Sequence, residues 1–404
     1  MRIWFRRILP WGLLAVGLPG GFFAARWTAV PAVFPVPEIA ALAQRKNAGL
    51  AEQIDTLRLS LGVPGVWVGV WEGEALVFGR GFGTRELGGN FPPDERTVFA
   101  IGSLSKMAVT TAVLRLEARG NFSLRDAVAD FVADVPRGGE ITWEMLGRHT
   151  SGLAEYIAAR EPKEMLAAEP ERKWRAEELL GFAYGRGGKF APGEKWAYAN
   201  TNTVLLGMGM ERAEGKELRA ILAEEIFAPL GLARTDFGRE NLLGEENAAR
   251  GYNWGDAAGP SWWRGRGNVL HETTRASLSI WQAAGGITSC GQDVGKMTRA
   301  VARGNLVTAQ QQAARLRWEP TDWAEEISSG FGVLNFAGWI GHSGVVPGYS
   351  AFAAHEPERD VTVVVLTNLY ADRGNGVPAE RIFELVREFR ARGKSSAEGK
   401  KNDG

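Results

Sequence analysis

The sequence predicts an α+β fold: one antiparallel sheet built from both ends of the chain, flanked by terminal helices, with a mostly helical segment inserted between. Three observations predict it. Runs rich in β-branched and aromatic residues gather near residues 66–79 and 331–367. The intervening chain is rich in Ala, Leu and Arg and reads as largely helical. Helical apolar spacing recurs near both ends, at Leu50, Ile54, Leu57 and Leu61 and at Ile382, Phe383, Val386 and Phe389.

Taken in order, the first helix falls within Pro37 to Leu61 and stops at Gly62-Val63-Pro64-Gly65. Val66 to Trp71 and Ala75 to Gly79 flank Glu72-Gly73-Glu74, a β-hairpin signal. A loop through Phe91-Pro92-Pro93-Asp94 leads to a helix over Met107 to Ala118, ended by Gly120. Ser123-x-x-Asp126 resembles a capping box opening Leu124 to Val132. Ile141 to His149 is a short helix, and residues 160 to 185 are helical in character. Pro192 to Asn200 is a loop entering a helix over Thr203 to Gly215. Residues 216 to 300 read as mixed but mostly helical, with Tyr252 to Gly267 a long loop. Strands return at Phe331 to Ile340, Tyr349 to His355 and Asp360 to Thr367, with a turn at Glu356-Pro357-Glu358-Arg359. Pro378 opens the final helix. The polar tail from Arg392 has the composition of a disordered segment.

Composition narrows the function. The 404 residues carry 47 basic and 47 acidic side chains, so no electrostatic footprint for nucleic acid exists. Fifteen tryptophans argue for a packed globule. Arg2, Arg6 and Arg7 precede an uncharged run from Ile8 to Ala25, and Val30-Pro31-Ala32 offers a cleavage point. Residues 1–32 are therefore expected to be a signal peptide or an N-terminal anchor, giving an exported protein, periplasmic or extracellular, with possible membrane association through that segment. The single cysteine, Cys290, forms no intrachain disulfide and supports no zinc cluster. It is expected to be a small buried packing residue.

Three short patterns carry the chemistry. Ser103 and Lys106 form S-x-x-K at a helix start, where i and i+3 side chains are neighbours. A serine hydroxyl is a poor nucleophile until a base takes its proton, and a buried lysine can be that base. The helix start also offers free N–H groups to an oxyanion. Tyr198-Ala199-Asn200 is Y-x-N, and His342-Ser343-Gly344 is H-S-G. Each has a plainer structural alternative. Tyr198 packs, Asn200 caps the next helix, and His342 is a satisfied strand-edge histidine. His149 fixes a loop. Trp254, Trp262 and Trp263 either line an acyl-group pocket or pack.

In this order the patterns resemble the penicillin-recognising serine hydrolases: class C β-lactamases, D-alanyl-D-alanine carboxypeptidases, D-aminopeptidases and related esterases. The resemblance covers roughly residues 45 to 390, with support from Phe99 to Lys106, Arg148 to Leu153, Phe190 to Asn202, Gly285 to Ser289 and Gly341 to Tyr349. It implies a β-lactamase/DD-peptidase-like hydrolase domain over 38–391, its α/β part being 38–100 and 325–391 and its helical part 101–324. It implies that Ser103 attacks a carbonyl to form an acyl-enzyme, with Lys106 and Tyr198 sharing the proton work. Which of the two is the base stays open, a Tyr198 phenolate included. Asn200 would bind the substrate amide and hold Lys106. His342, Ser343, Gly344 and Val345 would line the cleft, and the N–H groups of Ser103 and Val345 would form the oxyanion hole. No metal or organic cofactor is implied.

Departures steer the substrate. The third motif has His where class C β-lactamases carry Lys, and histidine is mostly neutral at pH 7. That favours a peptidase or esterase acting on D-amino-acid peptides or small esters over a β-lactamase. Val345 and Val346 stand where further glycine is frequent and narrow the cleft floor. An α/β-hydrolase elbow at Gly341-His342-Ser343-Gly344-Val345 fails, because its last position is not glycine and only His355 follows. A penicillin-binding sensor or envelope scaffold on the same fold remains the non-enzyme reading.

Overall fold

The computed structural model describes residues 29–30 and 49–399. The segment expected to be a signal peptide or anchor lies, apart from Ala29–Val30, outside the described residues. Among the described residues no helix is long and apolar enough to cross a membrane.

Helix α1 (Leu50–Leu61) buries Ile54, Arg58 and Leu61 and stops at Gly62, whose φ of 67° suits a residue without Cβ. It leads into the hairpin β1 (Gly65–Glu72) and β2 (Ala75–Gly83), turning at Gly73. Strand β3 (Val98–Ala100) precedes α2 (Ser105–Ala118). After several short helices come α3 (Asn200–Glu214), β4 (Asp236–Phe237), β5 (Ile287–Cys290) and α4 (Gly291–Arg303). The chain closes with β6 (Glu319–Pro320), β7 (Ile327–Ser329), β8 (Leu334–Phe336), β9 (Trp339–Val346), β10 (Tyr349–Glu356), β11 (Val361–Thr367) and α5 (Pro378–Gly399).

The main sheet has eight strands in the order β6-β7-β8-β9-β10-β11-β1-β2. Every pairing is antiparallel, and β11 against β1, with Val364 opposite Gly69, joins the two ends of the chain as expected. Alternation along β1 sorts its side chains. Val66, Val68 and Val70 join Ile54, Ile382, Phe383 and Val386 of α1 and α5 in one core. Trp67 and Trp71 face the other way, into the core of α2 and α4. A Cβ on Gly291 would come within 2.1 Å of Trp67, and one on Gly295 within 2.7 Å of Trp71, so small residues let α4 sit close on the indoles. A second, three-stranded sheet orders β3-β5-β4. Cys290, 1% exposed, ends β5 at the head of α4, a packing position.

Several expectations require correction. Phe331 to Ile340 is not one strand. Ala337 and Gly338, at φ 52° and 93°, fold it into the β8–β9 hairpin, and β9 runs on to Val346. Tyr252 to Gly267 is not all loop: Tyr252–Asp256 pairs with Val269–Glu272 in a small sheet. Its glycines hid the alternation of Tyr252 and Trp254. Beyond Leu230 the chain is strand, turn and two 3₁₀ segments (Leu278–Ile280 and Gln282–Ala284) until α4, not mostly helix. Asp126 accepts the Ser123 N–H at 2.7 Å, but the turn starts no α-helix, only the 3₁₀ segment Val128–Asp130. Helix α5 continues past Arg392, where the composition predicts disorder.

Candidate active site

Strand β3 runs into Ile101 and Gly102, the latter at φ 54°, and a single 3₁₀ turn (Gly102–Leu104) joins it to α2. Ser105 fastens the turn: its Oγ donates to Gly102 O at 2.7 Å and accepts from Ile287 N at 3.2 Å. Ser103 thus stands at the head of α2, and Lys106, fully buried, lies three residues on.

The structure brings Ser103, Lys106, Tyr198 and Asn200 together. Lys106 Nζ lies 2.9 Å from Ser103 Oγ, 2.7 Å from Asn200 Oδ1 and 2.7 Å from Ala284 O. Tyr198 Oη donates to Ser103 Oγ at 2.8 Å. Two proton arrangements satisfy all four contacts: a charged Lys106 donates to Ser103 Oγ, Asn200 and Ala284, or the amine is neutral. A neutral Lys106 donates its two N–H groups to Asn200 and Ala284 and turns its lone pair to the Ser103 hydroxyl, which accepts from Tyr198.

Electrostatics favours that arrangement. Burial drives the Lys106 amine down from 10.5 to about 7, against the pull of the Glu155 carboxylate. Burial pushes the Tyr198 phenol well above its ordinary 10. The phenolate that sequence reasoning left open is therefore disfavoured, since burial penalises its charge. Burial and the Lys106 charge push His342 down to about 3, so its imidazole is neutral. The His342 ring centroid is 6.1 Å from that of Tyr198. His149, at φ 60° and neutral through burial, accepts from Asn202 at 3.1 Å and Ala199 N at 3.4 Å, and its carbonyl holds Ala197 N at 2.9 Å. It fixes the Tyr198 loop, as expected.

Strand β9 supplies the opposite wall. Its hairpin with β10 closes at Val346↔Tyr349, so Val346, Gly344 and His342 spend their backbone groups on β10, while Ser343 and Val345 turn theirs to the other edge. Strand β8 pairs only with Trp339 to Gly341, leaving that edge open beside Ser103. A Cβ on Gly344 would fall 2.1 Å from Ile101 O and 3.0 Å from Ser103 N, and one on Gly102 would fall 2.7 Å from Val345 N. Only glycine lets the two backbones approach this closely, which brings Ser103 N and Val345 N onto neighbouring stretches of backbone. The Ser343 side chain departs from its expected place. It shares a face with Phe352, which packs on Phe383 of α5, and its hydroxyl hydrogen-bonds Glu380. Burial holds that acid up at about 7.

Sequence reasoning missed Glu155, Ala284, Trp196, Trp323 and Glu380. Trp323 packs its ring 5.2 Å from Tyr198 and 5.3 Å from Trp196, forming an aromatic border to the site. Of the tryptophans proposed either to line a pocket or to pack, all three make packing contacts. Trp254 and Trp262 are buried, and Trp263 packs on Trp281. No local pattern marks Trp323, which a distant loop delivers; Glu155 lies two residues after H-T-S-G-L and was within reach.

The family described as Beta-lactamase matches residues 40–386. The chain belongs to that family. This β-lactamase-family protein is a serine hydrolase. A penicillin-binding protein of Bacillus subtilis (strain 168) is 26% identical over 314 residues, 74% of this chain and 67% of that one. The D-alanyl-D-alanine-carboxypeptidase/endopeptidase AmpH of Escherichia coli (strain K12) is 30% identical over 221 residues, 53% of this chain and 54% of the relative. The D-amino acid amidase of Ochrobactrum anthropi SV3 shares the fold of this β-lactamase-family chain, with a TM-score of 0.73, 23% identity and coverage of 86% and 99%.

Proposed function

We propose that Ser103 is the nucleophile of an acyl-enzyme hydrolase acting on D-amino-acid peptides, of the D-alanyl-D-alanine carboxypeptidase type, or on small esters. One observation carries the reading: Ser103 Oγ is held between Lys106 Nζ at 2.9 Å and Tyr198 Oη at 2.8 Å. Lys106 takes the Ser103 proton as the Oγ–C bond forms. The carbonyl oxygen becomes an oxyanion facing the N–H groups of Ser103 and Val345. The C–N or C–O bond then breaks, and Tyr198 passes the proton held by Lys106 to the leaving group. Water hydrolyses the acyl-enzyme by the reverse proton path. Asn200 keeps Lys106 in place and offers its amide to the substrate.

The names of AmpH, of a D-aminopeptidase of Cereibacter sphaeroides 29% identical over 198 residues, and of the D-amino acid amidase support the D-configured class. The neutral His342 supports it over β-lactams, because it offers no fixed cation to a β-lactam carboxylate. Export follows from Arg2, Arg6 and Arg7 ahead of Ile8 to Ala25. Intact mass after exposure to a fluorescent penicillin, followed by turnover of p-nitrophenyl esters and D-alanyl peptides, tests the reading. Turnover lost in Ser103→Ala supports it. A label without turnover makes the protein a penicillin-binding sensor, and neither label nor turnover makes it a scaffold.

A further inference from the structure

A buried acid lies behind the site with no role in the mechanism above. Glu155 is 3% exposed. Its Oε2 accepts Asn200 N at 2.5 Å and its Oε1 accepts Ile157 N at 3.0 Å. Both oxygens therefore meet donors, as an ionised carboxylate requires and a protonated one does not. The loop that carries it is stitched to the same helix: Tyr156 N donates to Thr201 Oγ1 at 3.1 Å, and Thr201 Oγ1 donates to Ala154 O at 2.7 Å. Asn200, whose N–H Glu155 holds, turns its Oδ1 to Lys106 Nζ at 2.7 Å.

We propose that Glu155 is a positioning residue with two separable duties: its oxygens fasten the first turn of α3, which aims Asn200 at Lys106, and its charge is the buried counter-ion of the Lys106 amine. The inference rests on the reading of Lys106 as the base. A fully buried amine without a counter-charge would lose its proton so readily that it became a feeble base. A carboxylate behind it restores basicity without blocking the lone pair that faces Ser103. The other groups around Lys106 add no charge of either sign: His149 and His342 are neutral through burial and Tyr198 is a neutral phenol. Burial raises the Glu155 carboxyl above its ordinary range, and the N–H groups of Asn200 and Ile157 together with the charges of Lys106 and Lys189 pull it back toward the ionised form; the phenols of Tyr156 and Tyr198 stand nearby, and Lys163 also feels its charge.

The two duties come apart in two variants. Glu155→Gln keeps an oxygen for Asn200 N and loses the charge. Glu155→Asp keeps the charge and withdraws it from Asn200 N. The readout is the rate of Ser103 acylation by p-nitrophenyl acetate against pH, with intact mass to locate the acyl group and melting temperature to check folding. In the wild type the rate rises with pH through an acid limb near 7, the value to which burial lowers Lys106. In Glu155→Gln the limb moves down by about one pH unit and the plateau above it falls severalfold, since a weaker base is deprotonated sooner and pulls less. In Glu155→Asp the limb stays and only the plateau falls. A merely structural acid would lower the plateau in both and move neither limb. A Glu155→Gln limb on the wild-type position overturns the proposal. If Glu155→Gln does not fold, a shifted limb in Glu155→Asp overturns it equally. If the wild-type protein takes no acyl group on Ser103, the proposed function itself falls and takes this inference with it. Acylation with coincident limbs removes Glu155 alone.

Discussion

Tyr198 Oη faces Ser103 Oγ at 2.8 Å as a donor, from a ring packed between His149 and Trp323. A phenol so placed gives a proton and does not take one in the resting site. Tyr198→Phe is therefore expected to slow acylation by about 10²- to 10⁴-fold, the usual worth of a positioned acid, while the acid limb near pH 7 stays where Lys106 sets it. A limb that disappears with the phenol would make Tyr198 the base. Stopped-flow acylation by a p-nitrophenyl ester across pH 5 to 9 separates the two.

The Lys106 amine couples stability to pH. In the folded protein it titrates near 7, and its ordinary value is 10.5. Between those values the unfolded chain holds a proton that the folded chain has lost, so this group's contribution to stability rises with pH across that window. Lys106→Met removes that rise and abolishes acylation together. Melting curves at pH 7 and 9 for both proteins measure the difference.

Gly344 is expected to tolerate no side chain. Its Cβ would strike Ile101 O at 2.1 Å, so Gly344→Ala must push β9 away from the Ser103 turn. Separating two oxyanion donors costs about 10²- to 10³-fold in turnover, with substrate binding changed less. A kcat within twofold of wild type would place the oxyanion elsewhere.

His342 is neutral at every physiological pH, because burial and Lys106 hold it down at about 3. Binding of a carboxylate-bearing substrate is then expected to show no titration from this residue between pH 5 and 8. His342→Lys, which restores a fixed cation, is expected to raise the acylation rate by benzylpenicillin. A KM for a C-terminal D-alanyl peptide that climbs as pH passes 6 would contradict the neutral assignment.

Phe383 anchors the α5 face of the sheet, its ring 4.1 Å from Phe352 and 5.3 Å from Trp339. Phe383→Ala leaves a cavity at a fully packed position and is expected to cost about 3–5 kcal/mol. Urea unfolding monitored by tryptophan fluorescence measures it, and a cost below 1 kcal/mol would show that the second core is not cooperative with the first.

Much of the site was legible in residue order. S-x-x-K at a helix start required no tertiary information, because the helical repeat alone brings Lys106 beside Ser103. Motif order added Tyr198, Asn200 and the H-S-G strand, and the terminal hairpin β1–β2 announced itself through its Val/Trp runs and Gly73. Local patterns failed where glycines interrupt a strand, as at Ala337-Gly338 and within Tyr252–Asp256, and where an acidic turn imitates a helix cap, as at Ser123. They also failed at Trp254, whose alternation placed it in a core that the sequence could not locate.

By itself, then, the order of residues determined which groups gather in the candidate site and that both ends of the chain build one sheet, since helical and strand periodicities are local properties. Tertiary structure alone decided their state. Burial by distant segments lowers the Lys106 amine, the Glu155 charge from another loop opposes it, and the edge of β9 left open by β8 lies beside Ser103. Solvent exclusion and backbone approach are sums over the whole molecule, and no short stretch of sequence contains them.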